Sequence, residues 1–458
     1  MPQRALMAFD LRRLDTICGI ATPRGRGGVA IVRLSGDRAT AVRDAVFLPR
    51  RPGAPSPRTS IRGDVVDADG AVIDDGLCTT FPGPRSFTGE DVVELAVHGG
   101  VLVQELVLAR VVEAGCRLAE PGEFTLRAVL TGRLDLAEAE AIAAVVGART
   151  TAALGAAQRA LRGGLRDALQ PIRAALVDVL AELEARLDFP DEPLGDANRR
   201  ALVGQLERAH RGLRRLVGGA RRGRRLQDGA RVVLWGRPNA GKSTLLNALV
   251  GHERALVHHE PGTTRDVIEA AIDVDGVPVV VVDVAGVRDG DDVGEVEARG
   301  VALARREVAR ADVVLALHPA DGPPPPPLPD GVPAVDVVRV ASKADLGRSD
   351  DPVDVVVAAH RGEGIAALLA VLAQRLGGRG DDDIAGDDVL AATARQEHGL
   401  LAAADAVHAA ADAIADGLPD ELACSELRRA AHTLDALLGT DVGEDVLDVI
   451  FSRFCIGK

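Results

Sequence analysis

The sequence predicts a multidomain α/β plus α protein: an N-terminal α+β domain, a discontinuous all-α helical domain, and a parallel-sheet α/β domain inserted into the helical one. Three observations carry that prediction. Short β-rich runs separated by Gly/Pro turns fill the first part of the chain. Ala/Leu/Glu/Arg-rich helical sequence follows and returns near the end, and Val-rich strands alternate with helices in between. At 458 residues the chain is about three ordinary domains long.

Residues 1–133 hold runs such as Gly28-Val-Ala-Ile-Val-Arg33 and turns such as Phe81-Pro-Gly-Pro84 and Glu120-Pro-Gly-Glu123, the pattern of a compact α+β domain. Residues 134–228 form the first helical part. There Leu165, Leu169, Ile172, Leu176, Leu180, Leu183 and Leu187 step by three and four and mark one helix face, which Phe189-Pro-Asp-Glu192 ends. Residues 229–380 form the α/β domain, with strand candidates Val232–Trp235, Val277–Val282, Val313–Leu317, Val337–Ala341 and Val353–Val357. Inside it Pro323–Pro327 reads as a stiff polyproline surface loop, with a ligand for a proline-recognition domain as the alternative. Residues 381–458 return to helix.

Composition narrows the function. Lys plus Arg is 54 against 68 Asp plus Glu, a net charge of −14, so any contact with RNA is local. Aromatic content of 2% argues against rows of base-stacking rings. Cys18, Cys78, Cys116, Cys424 and Cys455 are scattered without a C-x-x-C pair or His at zinc spacing, which disfavours a disulfide scaffold or zinc module. The longest apolar runs fall short of a membrane span and the N-terminus lacks a secretory h-region, so no membrane contact and a cytoplasmic location are expected.

Gly236-Arg-Pro-Asn-Ala-Gly241-Lys242-Ser243 fits G-x-x-x-x-G-K-[ST] directly after one strand candidate and before the helical Thr244-Leu-Leu-Asn-Ala-Leu249. In that context the backbone from Asn239 and Ala240 through Gly241 to Thr244 curls around phosphates, Lys242 neutralises β/γ charge and the Ser243 hydroxyl ligates Mg²⁺. Asp283-Val284-Ala285-Gly286 closes another strand, supplying a carboxylate for the Mg²⁺ shell and a glycine amide for the γ-phosphate. Thr263 and Thr264 lie between the two, where a switch segment places a threonine on Mg²⁺. In Ser342-Lys343-Ala344-Asp345 the carboxylate can accept two hydrogen bonds from the guanine N1 and N2 edge, a pair that adenine does not offer. Order and spacing fit a GTPase. Val287 follows Gly286, so the glutamine many GTPases use there to orient water is absent and hydrolysis needs another device.

With these motifs in place the chain resembles the bacterial tRNA-modification GTPase family MnmE, also called TrmE, over essentially its whole length. The resemblance rests on Ala21-Thr-Pro-Arg-Gly-Arg-Gly-Gly28, Gly83-Pro-Arg-Ser-Phe-Thr-Gly-Glu-Asp91, His98-Gly-Gly100, Pro121-Gly-Glu-Phe124, Leu134-Asp-Leu-Ala-Glu-Ala-Glu-Ala-Ile142, Gly262-Thr-Thr-Arg-Asp266 and, most specifically, Phe454-Cys-Ile-Gly-Lys458. It implies an N-terminal tetrahydrofolate-binding and dimerisation domain at 1–133, a helical domain at 134–228 and 381–458, and a GTPase domain at 229–380. It further implies a homodimer that works with a flavoprotein partner, MnmG (GidA), in a heterotetramer or larger complex. That complex installs a carboxymethylaminomethyl-type group on C5 of wobble uridine 34 of certain tRNAs, with a one-carbon unit from 5-formyl- or methylene-tetrahydrofolate.

By the same resemblance Arg33, Glu94, Arg133 and Lys458 contact the folate and Cys455 has a catalytic or cofactor-site role; the first three, read alone, are solvated or salt-bridged residues. Asn239 becomes a K⁺ ligand, the loop His258-His259-Glu260-Pro261-Gly262 completes the cation site, with His258, Glu260 and Thr263 as candidate ligands, and Glu297 orients water. Hydrolysis then follows dimerisation of the GTPase domains across K⁺. The chain departs from the family at Ser342, where N-K-x-D has Asn, at Val284, where D-T-A-G has Thr, and at Ala358, where Ser is expected. Seven arginines and no acid within Arg211–Arg225 read either as a tRNA-phosphate contact or as a solvated helix face. The competing reading of the whole chain is a ribosome-assembly or RNA-binding switch GTPase, which requires a separate RNA-binding module.

Overall fold

The computed structural model describes residues 15–23, 25–51, 56–188, 196–252, 268–284, 304–320, 322–329, 335–347, 352–376, 389–440, 447, 450–452, 454 and 457. Its contacts divide the chain into two compact units, residues 1–143 with 435–458, and residues 144–434.

In the first unit β1 (Ile17–Ile20), β2 (Val29–Ser35), β3 (Phe47–Pro49), β4 (Ile61–Val66), β5 (Val72–Phe81), β6 (Val92–His98) and β7 (Arg117–Leu118) form one sheet in the order β3-β4-β5-β6-β2-β1-β7. Every pairing is antiparallel except β1 with β7. Strand alternation sends Ala30, Val32 and Leu34 of β2 and Val93, Leu95 and Val97 of β6 into a core with α1 (Ala39–Val46) and α2 (Val101–Glu113). It therefore leaves Arg33 and Glu94, directly opposite one another in the β2–β6 register, on the other face. That face meets a second cluster of Ile17, Ala119, Phe87 and Phe124, the last from α3 (Glu123–Leu130). Leu447, Ile450, Phe451 and Phe454 pack with Leu126, Val129, Leu136 and Ala139, which brings the C-terminal segment back to this unit.

Beneath α3 lies an ion network. Arg127, 7% exposed, bonds to Asp15, Glu90 and Glu123, while Arg117 bonds to Asp15 and Glu123. The Arg117 hydrogen bond, helped by Arg127 and opposed by burial, holds the Asp15 carboxyl below the usual carboxylate range. Breaking one partner would strand a buried charge, so the network fixes α3 against β7.

The second unit carries α5 (Thr151–Leu161), α6 (Gly164–Asp188), α7 (Asp196–Asp228), α8 (Lys242–His252), α9 (Ile365–Arg375), α10 (Ala394–Ala415) and most of α11 (Asp420–Leu438), α4 (Leu136–Gly147) lying mainly in the first. Thr393 caps α10 through a capping box with Gln396. The predicted α6 face needs a correction. Leu165, Leu169, Leu176, Val179 and Leu183 are the buried positions, whereas Leu187 is 37% exposed and Val179 takes the inward place assigned to Leu180. A face that continues toward its neighbours alternates steps of four and three, and two successive steps of four through Leu180 drift off it.

The sheet of this unit runs β13-β12-β11-β8-β10-β9, from β8 (Ala230–Trp235), β9 (Ile268–Val274), β10 (Val277–Asp283), β11 (Val313–Pro319), β12 (Asp336–Ser342) and β13 (Val355–Val356). All pairs are parallel except β9 with β10. The expected strands are present with shifted ends, and β13 keeps two residues of the expected Val353–Val357. Sequence reading missed β9, although Asp275-Gly276, both at positive φ (50° and 88°), is the two-residue turn that joins it to β10.

Candidate functional site

β8 ends at Trp235 and α8 starts at Lys242, so the G-x-x-x-x-G-K-S segment is the loop at the C-terminal edge of a parallel sheet, where a helix N-terminus faces it. Two residues of the loop take left-handed backbone, Asn239 at φ 65° and Gly241 at φ 92°. The Lys242 ammonium is buried and donates to the carbonyls of Gly236 at 3.1 Å and Arg237 at 3.0 Å. Burial pulls its pKa below the ordinary lysine value while the Asp283 charge partly restores it. A cation held there by neutral carbonyls is poised to exchange them for phosphate oxygens.

At the end of β10 the Asp283 carboxylate accepts a 2.5 Å hydrogen bond from the Ser243 hydroxyl. One oxygen ligand from each side of the loop therefore meets at one point, a donor set that suits Mg²⁺. Ser342, at the end of β12, donates to the Ala240 carbonyl at 2.7 Å in a buried bond, so the shorter side chain still ties this loop to the phosphate loop. Lys343 adopts φ 57°, and Asp345 follows with its side chain 9% exposed. Among the described residues its Oδ1 is buried without a hydrogen-bond partner, and the His360 Nδ1 stands 3.6 Å away. An unsatisfied carboxylate oxygen is a vacant acceptor for a ligand N–H, and the guanine edge has the matching donors. Ala358 is buried and donates its backbone N–H to Glu363. Val284 is buried beside Val233 and Trp235, a packing position.

Several expected site residues lie outside the described residues: His258, His259, Glu260, Pro261, Gly262, Thr263, Thr264, Ala285, Gly286, Glu297, Cys455 and Lys458.

In the first unit Arg33 is ion-paired with Glu94 (2.8 Å), and its Nη1 reaches the Gly457 carbonyl at 3.5 Å. The guanidinium lies 5.4 Å from the Phe87 ring centre and 5.8 Å from that of Phe124. Arg133 donates to the Ser86 carbonyl, next to Phe87. Strand pairing and the returning C-terminal segment thus gather Arg33, Glu94, Phe87 and Gly457 into one place, with Arg133 reaching the neighbouring Ser86. Cationic, anionic and aromatic groups together suit a flat, anionic, hydrogen-bonding ligand such as a folate.

The arginine run lies on α7. Arg221 and Arg224 pair with Glu397 of α10, and Arg225 donates to the Leu376 carbonyl, so these residues fasten helices; Arg211, Arg214 and Arg215 are exposed. The polyproline segment lies at the surface as expected, with one addition. Pro323, Pro324 and Pro327 are exposed, but Pro326 is buried, and the Pro324 and Pro326 carbonyls accept hydrogen bonds from Arg237 and Trp235. The segment is a strap docked on the end of β8, because an indole N–H buried there requires an acceptor. An open cleft of about 810 Å³ bounded by Thr151, Arg222, Asp273, Gly276 and Gln374 lies away from the phosphate loop. Among the described residues Asp74, Asp75 and His98 also converge, but His98 is bonded to Asp74 and Asp75 to Arg62. No described helix is long and apolar enough to cross a membrane.

The parallel sheet, the phosphate loop and the Ser243–Asp283 pair define a nucleotide-binding protein of the P-loop class. A family model of the MnmE helical domain matches residues 136–455, and one of the GTP-binding protein TrmE N-terminus matches residues 16–133. A relative from Chloroflexus aurantiacus named tRNA modification GTPase MnmE is 41% identical over 97% of this chain and 100% of its own. Another of that name from Symbiobacterium thermophilum is 43% identical over 97% of this chain and 99% of its own. Among solved structures, Era from Aquifex aeolicus is 20% identical over 39% of this chain and 66% of that chain, with a TM-score of 0.27. The chain belongs to the MnmE family of tRNA modification GTPases.

Proposed function

We propose that this chain hydrolyses GTP and, with a flavoprotein partner (MnmG), adds a carboxymethylaminomethyl-type group to C5 of the wobble uridine of certain tRNAs. The observation that carries this reading is the match, over 97% of the chain, to relatives named as tRNA modification GTPases. The site geometry supports its first half. Lys242 and the loop amides hold the β/γ-phosphates, Ser243 and Asp283 hold Mg²⁺, Asp345 reads guanine, and bound Mg²⁺ offsets charge on the phosphates. K⁺ on Asn239 and the His258–Gly262 loop, dimerised GTPase domains and Glu297 complete hydrolysis in this proposal. They replace the glutamine that Val287 does not supply. Arg33, Glu94, Arg133 and Lys458 hold the 5-formyl- or methylene-tetrahydrofolate, Cys455 serves the chemistry at that site, and a cytoplasmic homodimer acts on tRNA.

Nucleoside analysis of tRNA after depletion of the protein, or after Cys455→Ser replacement, is expected to show loss of the modified wobble uridine. An unchanged nucleoside profile overturns the reading. GTP turnover by the purified protein is expected to rise when Na⁺ is replaced by K⁺; equal rates in the two salts remove the cation from the mechanism.

A further inference from the structure

The proline strap touches the end of β8 and the phosphate loop that follows it, at two places that the G-x-x-x-x-G-K-S motif does not explain. Trp235, the chain's one tryptophan, is 2% exposed and donates Nε1–H to the Pro326 carbonyl at 2.8 Å. Arg237, two residues further and inside the loop, donates Nε–H to the Pro324 carbonyl at 2.9 Å. Proline suits this task. It leaves carbonyls without matching N–H donors, and its fixed φ keeps successive carbonyls on a stiff, extended backbone. The strap is itself anchored, for Leu328 packs against the cluster of Val233, Trp235, Val282 and Val314. The same residue that the strap grips through its side chain offers its backbone to the catalytic cation, because the Arg237 carbonyl accepts from the Lys242 ammonium.

We propose that Arg237 is a positioning residue for the phosphate loop: its guanidinium hooks the loop onto the proline strap and so sets where the Lys242 ammonium waits for the nucleotide. The inference rests on the reading of this loop as the nucleotide site. The hook orders the Gly236–Arg237 carbonyls before binding, so its loss adds an ordering cost to binding and not to the chemical step. Arg237 acts through hydrogen-bond donation and not through charge on the phosphates.

The test is binding of a fluorescent N-methylanthraniloyl GDP to the full-length protein, with steady-state GTP hydrolysis alongside. Arg237→Ala removes the hydrogen bond to the Pro324 carbonyl and is expected to raise Kd and KM about five-fold, with the change falling on KM rather than on kcat. Arg237→Gln keeps a donor and loses the charge, and is expected to stay within about two-fold of the parent. Trp235→Phe breaks the second contact away from the phosphates and is expected to weaken binding in the same direction as Arg237→Ala. If Arg237→Gln falls as far as Arg237→Ala, the side chain acts as a charge on the phosphates and the proposal is wrong. It is equally wrong if Arg237→Ala binds like the parent. Failure of the parent protein to bind any guanine nucleotide would instead remove the reading of the site itself.

Discussion

Asp345 shows how a single residue gains meaning only in its surroundings. A K-x-D triplet in a chain of 458 residues is weak by itself. In the fold its side chain is 9% exposed with one oxygen lacking a hydrogen-bond partner among the described residues, which costs stability unless a ligand satisfies it. Asp345→Asn replaces that acceptor by an amide and is expected to weaken GTP binding by about 50-fold while improving xanthosine triphosphate binding. Competition between the two nucleotides measures this, and an unchanged preference would separate Asp345 from base selection. Ser342 is the converse case. Its departure from the family's Asn was visible in the sequence, but only the structure shows that a hydroxyl at the end of β12 reaches the Ala240 carbonyl. Arg33 and Glu94 are proposed folate contacts through resemblance alone, whereas their pairing follows from strand register.

At the scale of elements, the β9–β10 hairpin carries a joint that periodicity does not reveal. Its tip carbonyl, on Gly276, accepts a hydrogen bond from Thr150, the N-cap of α5, at 2.7 Å. A Cβ on Gly276 would stand 2.7 Å from the Ala152 Cβ, and φ is already 88°. Gly276→Ala is therefore expected to destabilise the second unit by about 1–3 kcal/mol. The thermal midpoint of the purified protein should fall and amide exchange at the start of α5 should quicken. Unchanged exchange there would show that the hairpin does not brace the helix. Residues such as Val277–Asp283 announced β10 because a parallel strand buried on both faces is a continuous apolar run. β9 was missed because an edge strand reading Ile-Glu-Ala-Ala-Ile-Asp-Val lacks that run. The proline run is a surface segment as expected, but its docking on Trp235 and Arg237 is not legible in the sequence, since hydrogen bonds to its carbonyls leave no trace in local composition.

For the whole molecule, the division between local and distant information follows from how each is encoded. The sequence by itself determined the fold class, the phosphate loop with its strand and helix, the order of the nucleotide motifs and the family, because periodicity, turn residues and fixed spacings are written along the chain. What only the tertiary structure decided depends on residues brought together across large separations. The Gly457 carbonyl stands beside Arg33, Arg127 is surrounded by Asp15, Glu90 and Glu123, and the arginines of α7 spend part of their charge on Glu397. Burial and strand register set those contacts. The same rules join Arg237 of the phosphate loop and a run of prolines 87 residues away in one hydrogen-bonded brace.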